Sequence, residues 1–158
     1  FYNHLNTGRP DPDNRIFNRY ASNYLDESNE PLYPFGYGLS YTDFVYGELQ
    51  ISSETLPKNG ELTVSVTVTN KGNYDGYETV QLYLRDIYAE VARPMKELKG
   101  FERIFLKSGE SRDVKFVITK DDLKFYNSEL HYVYEPGEFD VMVGPNSRDV
   151  QTKSFQAE

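Results

Sequence analysis

From residue 61 onward the chain repeatedly alternates apolar and polar side chains. In residues 61–70, Leu62, Val64, Val66 and Val68 share one face, and Thr63, Ser65, Thr67 and Thr69 the other. Val80, Leu82 and Leu84 point one way, against Gln81, Tyr83 and Arg85. Val114, Phe116 and Ile118 alternate with Asp113, Lys115 and Val117, and Phe139, Val141 and Val143 with Glu138, Asp140 and Met142. A helix cannot gather residues spaced by two onto one side, whereas an extended strand must. Strict alternation also separates half-buried antiparallel strands from the continuous apolar runs of doubly covered parallel ones. Turn chemistry punctuates the pattern at Lys58-Asn59-Gly60, Asn70-Lys71-Gly72-Asn73, Lys107-Ser108-Gly109, Pro136-Gly137 and Gly144-Pro145-Asn146, which suit positive or fixed φ. The expected strands run over 44–52, 61–70, 78–86, 95–106, 111–119, 131–134, 137–144 and 149–156. An imperfect alternation across Gly100 predicts a bulge or bend. Thr119 followed by Asp122 reads as a capping box opening one turn of helix. The result is an all-β, two-sheet antiparallel sandwich of about seven strands.

The first 46 residues behave differently. They hold 11 of the 24 Phe and Tyr residues, against 13 in the remaining 112. No sustained period appears there, and Pro10, Pro12, Pro31, Pro34, Gly8, Gly36 and Gly38 interrupt the segment. Proline removes a donor and pushes its predecessor to extended conformations. The segment therefore reads as an irregular extended strap with at most a short helical piece around Ile16–Tyr24. A free linker would be poor in aromatics, so the strap is expected to lie against a surface. The alternative is an irregular first layer of the same domain.

The chemistry-bearing residues are sparse. With no cysteine there is neither a disulfide framework nor a thiolate site. Tryptophan is absent, and the two histidines, His4 and His131, stand far apart. His131 falls at a short strand and reads as a half-buried structural residue. A net charge of −8 opposes binding to phosphate backbones, so no nucleic-acid partner is expected. No apolar run approaches the roughly 18 residues of a membrane span. Asp11-Pro12-Asp13-Asn14 lacks the further oxygen ligands of a calcium loop and reads as a turn. Gly36 and Gly38 lack the GK[ST] of a phosphate loop. No nucleophile elbow is present, and Asp121-Asp122 is explained by its helix start. No catalytic residue, metal or cofactor is assigned. Aromatic side chains on a sandwich can also stack on sugars, and Tyr83, on the outward face of its strand, is the candidate for that.

The stretches Asn6–Pro10, Glu30–Phe44, Val68–Asp86, Arg93–Ser111 and Glu135–Gly144 together resemble the C-terminal end of glycoside hydrolase family 3 β-glucosidases. The resemblance covers nearly the whole chain. It implies a fibronectin type III-like sandwich over residues 45–158, preceded by the end of another domain and an interdomain linker over residues 1–44. It further implies a catalytic barrel and an α/β sandwich domain in the same polypeptide as partners. The family's nucleophile, an Asp of the barrel, and its acid/base Glu lie in motifs absent here, so this chain alone is expected to be inactive. The parent would hydrolyse terminal β-linked glucosides with retention. Arg9, Tyr33, Phe35, Tyr37 and Tyr41 are the expected interdomain contacts, with Arg9 able to anchor the strap through bidentate hydrogen bonds. The alternatives are a carbohydrate-binding module for a β-linked oligosaccharide and a non-catalytic interaction domain. The resemblance favours a periplasmic or extracellular setting, while the lack of cysteine fits the cytosol equally. Phe1 is no start methionine, and the chain reads as cut from a longer one.

Overall fold

The computed structural model describes residues 30–158. Arg9, His4, the stretch Asp11–Asn14 and the short helix expected at Ile16–Tyr24 lie outside the described residues. Residues 30–43 contain no strand and run into β1 (Phe44–Tyr46). β2 (Gln50–Ile51), β3 (Thr55–Leu56), β4 (Leu62–Asn70), β5 (Gly76–Asp86), β6 (Glu97–Leu106) and β7 (Ser111–Ile118) follow. After the one-turn helix α1 (Lys120–Leu123) come β8 (Phe125–Tyr126), β9 (Tyr132–Val133), β10 (Gly137–Gly144) and β11 (Gln151–Ala157).

One sheet is built on β4, with β1 and β2 along one edge and β7 along the other. The second has the order β3-β11-β10-β5-β6, and β8 with β9 forms a separate small hairpin. The strand expected over 44–52 is interrupted. Tyr46 pairs with Val68 but Gln50 with Ser65, so four residues on one strand oppose three on the other, as in a bulge. The extra residue lets Leu49 reach the core. The chain then crosses to the other sheet, where β3 joins β11 in parallel. That short pair was not expected, and it follows from β3 entering alongside the last strand of the opposite sheet. The bulge anticipated near Gly100 is present: Leu82 faces Gly100 while Tyr83 faces Leu98.

The alternation selects the core correctly. Leu62, Val64, Val66, Val68, Val80, Leu82, Leu84, Val114, Ile118, Phe139, Val141 and Val143 are all buried between the sheets. At the start of α1, the Thr119 N–H donates to Asp122 Oδ2 at 2.8 Å and the Thr119 hydroxyl to the same oxygen at 3.0 Å. Leu123 is thereby set into the core.

Candidate functional site

Residues 30–43 are held on the sandwich by their backbone. The Pro34 carbonyl accepts from the Tyr37 N–H at 3.0 Å, closing a turn with Gly36 at φ +79°, a conformation that L side chains rarely adopt. The Phe35 carbonyl accepts from the Ser147 N–H at 2.9 Å. The Gln81 amide nitrogen donates to the carbonyls of Pro145 at 2.6 Å and Gly36 at 3.3 Å. Upstream, the Arg148 guanidinium meets the Pro31 carbonyl and, at 3.4 Å, the Glu30 carboxylate. Downstream, Thr42 donates its hydroxyl to Asn70 Oδ1 at 2.6 Å, and the Lys71 N–H donates to the Asp43 carbonyl at 2.7 Å. Pro34 and Thr42 are buried.

The large side chains of the same segment face away. Tyr33 is 68 % exposed, Leu39 90 % and Tyr41 98 %, while Leu32, Phe35 and Tyr37 are also exposed. Tyr33 and Tyr37 lie with ring centres 5.5 Å apart. Beside the strap, the outer face of β5 and β6 adds three more exposed rings, Tyr77, Phe101 and Phe105. Tyr77 packs on Phe105 at 5.0 Å between ring centres and carries the Arg103 guanidinium at 3.9 Å. Between strap and sheet opens a groove of about 300 Å³, lined by Gly36, Tyr37, Leu39, Tyr77, Glu78 and Asn146 among others. A cluster of exposed rings of this kind marks a contact face.

The structure places the five expected contact residues as follows. Tyr33 and Tyr37 lie ring to ring, Phe35 and Tyr41 are exposed in the same segment, and Arg9 lies outside the described residues. Tyr83 requires a correction. It does lie on the outward face of β5, but it is 0 % exposed and its hydroxyl donates to Gln81 Oε1 at 2.5 Å. With no exposed surface, Tyr83 offers no ring to a sugar, and the Gln81 amide beside it is held by the carbonyls of Gly36 and Pro145. His131 also differs from expectation. It is exposed beside β9, with Nδ1 3.4 Å from Glu129 Oε2, because the β8–β9 hairpin pairs with neither large sheet.

Asn70 carries a role that turn chemistry alone did not reveal. It is fully buried, and its amide donates to the carbonyls of Tyr74 at 2.7 Å and Leu106 at 3.1 Å. Its Oδ1 accepts from Thr42 and from the Gly72 N–H at 3.1 Å. One side chain thus satisfies strap, turn and strand end together.

Glu78, at the groove, accepts from the Thr79 N–H at 2.9 Å and the Tyr46 hydroxyl at 3.2 Å. Burial pushes its carboxyl above the ordinary value, against the pull of those two donors. Burial, followed by the Glu78 charge, raises the Tyr46 hydroxyl as well. A carboxyl whose pKa is higher in the folded state binds its proton more tightly there, so its contribution to stability declines as pH rises through the carboxylate range. Glu78→Gln is expected to gain stability relative to the parent sequence between about pH 4 and about pH 7. Urea unfolding at the two pH values measures this; a parallel offset would contradict it. No grouping of acidic or histidine side chains among the described residues could hold a metal ion, and no described helix is long and apolar enough to cross a membrane.

The comparisons with known proteins agree with this architecture. The fibronectin type III-like domain family matches residues 78–147. A periplasmic β-glucosidase of Salmonella typhimurium is 49 % identical over 157 residues, which is 99 % of this chain and 20 % of that protein. A β-xylosidase of Formosa agariphila is 47 % identical over 134 residues, 84 % of this chain and 18 % of that one. Among solved structures, a β-glucosidase from Listeria innocua in complex with laminaribiose superposes with a TM-score of 0.90 at 44 % identity, covering 100 % of this chain and 22 % of that chain. The chain thus spans about a fifth of the length of these relatives. Sandwich topology, domain match and near-complete coverage coincide: the chain belongs to the C-terminal part of the family 3 glycoside hydrolases and carries their fibronectin type III-like domain.

Proposed function

We propose that residues 45–158 form an accessory domain that braces the catalytic part of a longer β-glucosidase polypeptide, a barrel and an α/β domain, with residues 1–44 as the end of the preceding domain and the linker. The parent would cleave terminal β-linked glucosides with retention. One observation carries the reading: the strap's backbone is latched to the sandwich while Tyr33, Leu39 and Tyr41 project into solvent. A strap serving only the sandwich would turn its rings inward, since each large apolar side chain fully buried contributes about 1.5–3 kcal/mol. The relatives are about five times longer, so in the full-length polypeptide further domains would supply the covering surface.

The test is a Leu39→Ser, Tyr41→Ser double variant in the full-length polypeptide and in the isolated chain. In the full-length protein the strap amides are expected to lose hydrogen-exchange protection and the melting temperature to fall by several degrees, about what 2–3 kcal/mol of lost burial produces. The isolated chain should be unaffected. Equal behaviour in both contexts would remove the bracing role, and calorimetric heat on titrating the isolated chain with β-glucan oligosaccharides would favour the carbohydrate-binding alternative.

A further inference from the structure

Arg85 and Lys96 make a second feature of the outer face that the sandwich itself does not use. Arg85 follows Tyr83 by two residues and shares its face of β5. Leu84 pairs with Glu97, which brings Lys96, just ahead of β6, beside Arg85. Like charges set opposite each other across strands repel, and both side chains here are partly withdrawn from water. Lys96 donates to the Ser147 carbonyl at 2.5 Å, and burial, reinforced by the Arg85 charge, lowers its pKa against the opposing pull of Glu30. Arg85 Nε is buried with no hydrogen-bond partner. The carboxylate across from it, Asp140, accepts instead from Ser154 at 2.7 Å and forms no ion pair with Arg85. Arg148, the further cation nearby, is occupied with Glu30 and Pro31. A buried guanidinium nitrogen without an acceptor is costly, and a guanidinium beside an ammonium matches the two oxygens of one carboxylate.

Resting on the bracing reading above, we propose that Arg85 and Lys96 receive a carboxylate side chain from the catalytic part of the same polypeptide, closing an interdomain ion pair beside the strap. Two features select a tethered carboxylate over a free anion. The chain carries −8 overall and repels free anions at long range. A carboxylate on the same polypeptide arrives at an effective concentration in the millimolar range without that barrier. The site also adjoins Glu30 and Pro31, which lie on the side of the sequence that precedes the sandwich.

The experiment uses the full-length polypeptide and zero-length carbodiimide coupling, which joins an amine only to a carboxylate in contact with it. The expected product is a peptide pair linking Lys96 to an Asp or Glu encoded upstream of Phe1. Its yield should fall about fivefold or more in Arg85→Gln, as expected for coupled residues, and vanish in Lys96→Gln. Both variants should lower the denaturation midpoint of the full-length protein, non-additively, and leave that of the isolated chain in place. A link to Glu30 alone, no link at Lys96, or an equal loss of stability in the isolated chain overturns the assignment. So does saturable binding of acetate by the isolated chain, which would mark a free-anion site. If Leu39→Ser with Tyr41→Ser loosens the full-length protein while Arg85→Gln and Lys96→Gln do not, the bracing reading stands and the ion pair falls. If none of them has an effect, both fall.

Discussion

Replacing Asn70 by leucine is expected to lower the free energy of unfolding by about 3–5 kcal/mol, among the largest effects a single substitution has. The leucine fits the volume but abandons four hydrogen-bonding groups at once. The Tyr74 and Leu106 carbonyls lose their donor, while the Thr42 hydroxyl and the Gly72 N–H lose their acceptor. Each buried group left unsatisfied costs about 1–3 kcal/mol, less where water can enter. The neighbouring backbone cannot relax into the gap. A Cβ at Gly72 would already collide with Thr42, and one at Gly76 would press on the Thr42 methyl, so the turn is packed against the strap's end. Asn70→Asp keeps the acceptor but sets a buried carboxylate oxygen against the Tyr74 and Leu106 carbonyls, so at neutral pH it is expected to lose at least as much stability as the leucine variant. Urea unfolding at constant slope measures all three proteins. A loss below about 1 kcal/mol for the leucine variant would show that water replaces the amide.

Gly36→Ala is expected to release the strap from the sandwich without unfolding the latter. Two costs coincide at this position. Its φ of +79° lies where a side chain is strained by about 1–2 kcal/mol. The new Cβ would also land on the Gln81 amide, which must swing away and leave the Pro145 carbonyl without its donor. The readout is local: the Tyr37 and Ser147 amides should exchange about tenfold or more faster for each 1.4 kcal/mol lost. Core amides of β4 and β10 should keep their protection. Tyr83, whose hydroxyl donates to Gln81, should react faster with a phenol-reactive reagent. Unchanged protection at Tyr37 would show that the turn is held by something other than Gln81.

These two expectations rest on residues whose importance local pattern does not display. Asn70 reads as one turn former among several in a run with Lys71, Gly72 and Asn73, since Asn suits a turn whether or not its amide is buried. Its burial follows from Thr42, 28 residues earlier, and Leu106, 36 residues later. The aromatic strap, by contrast, was visible as a concentration of rings among prolines, and Tyr33, Phe35, Tyr37 and Tyr41 are all exposed. The companion rings Tyr77, Phe101 and Phe105 were less visible. They sit on the polar-phase positions of their strands, where isolated exposed aromatics are ordinary; only the pairing of β5 with β6 gathers them into one surface.

What the sequence by itself determined is the inner half of the molecule. Period-two alternation names the residues between the sheets, and the irregularity at Gly100 and the Thr119–Asp122 box place a bulge and a helical turn, because each of these signals arises within a few neighbouring residues. What only the tertiary structure decided is the fate of the outer face. Alternation separates one side of a strand from the other but carries no information on whether a further layer covers the second side. That layer comes from residues 36 and 145, which are 45 and 64 positions from Gln81. It encloses the Gln81 amide beside the buried Tyr83 and holds the strap with its rings turned outward.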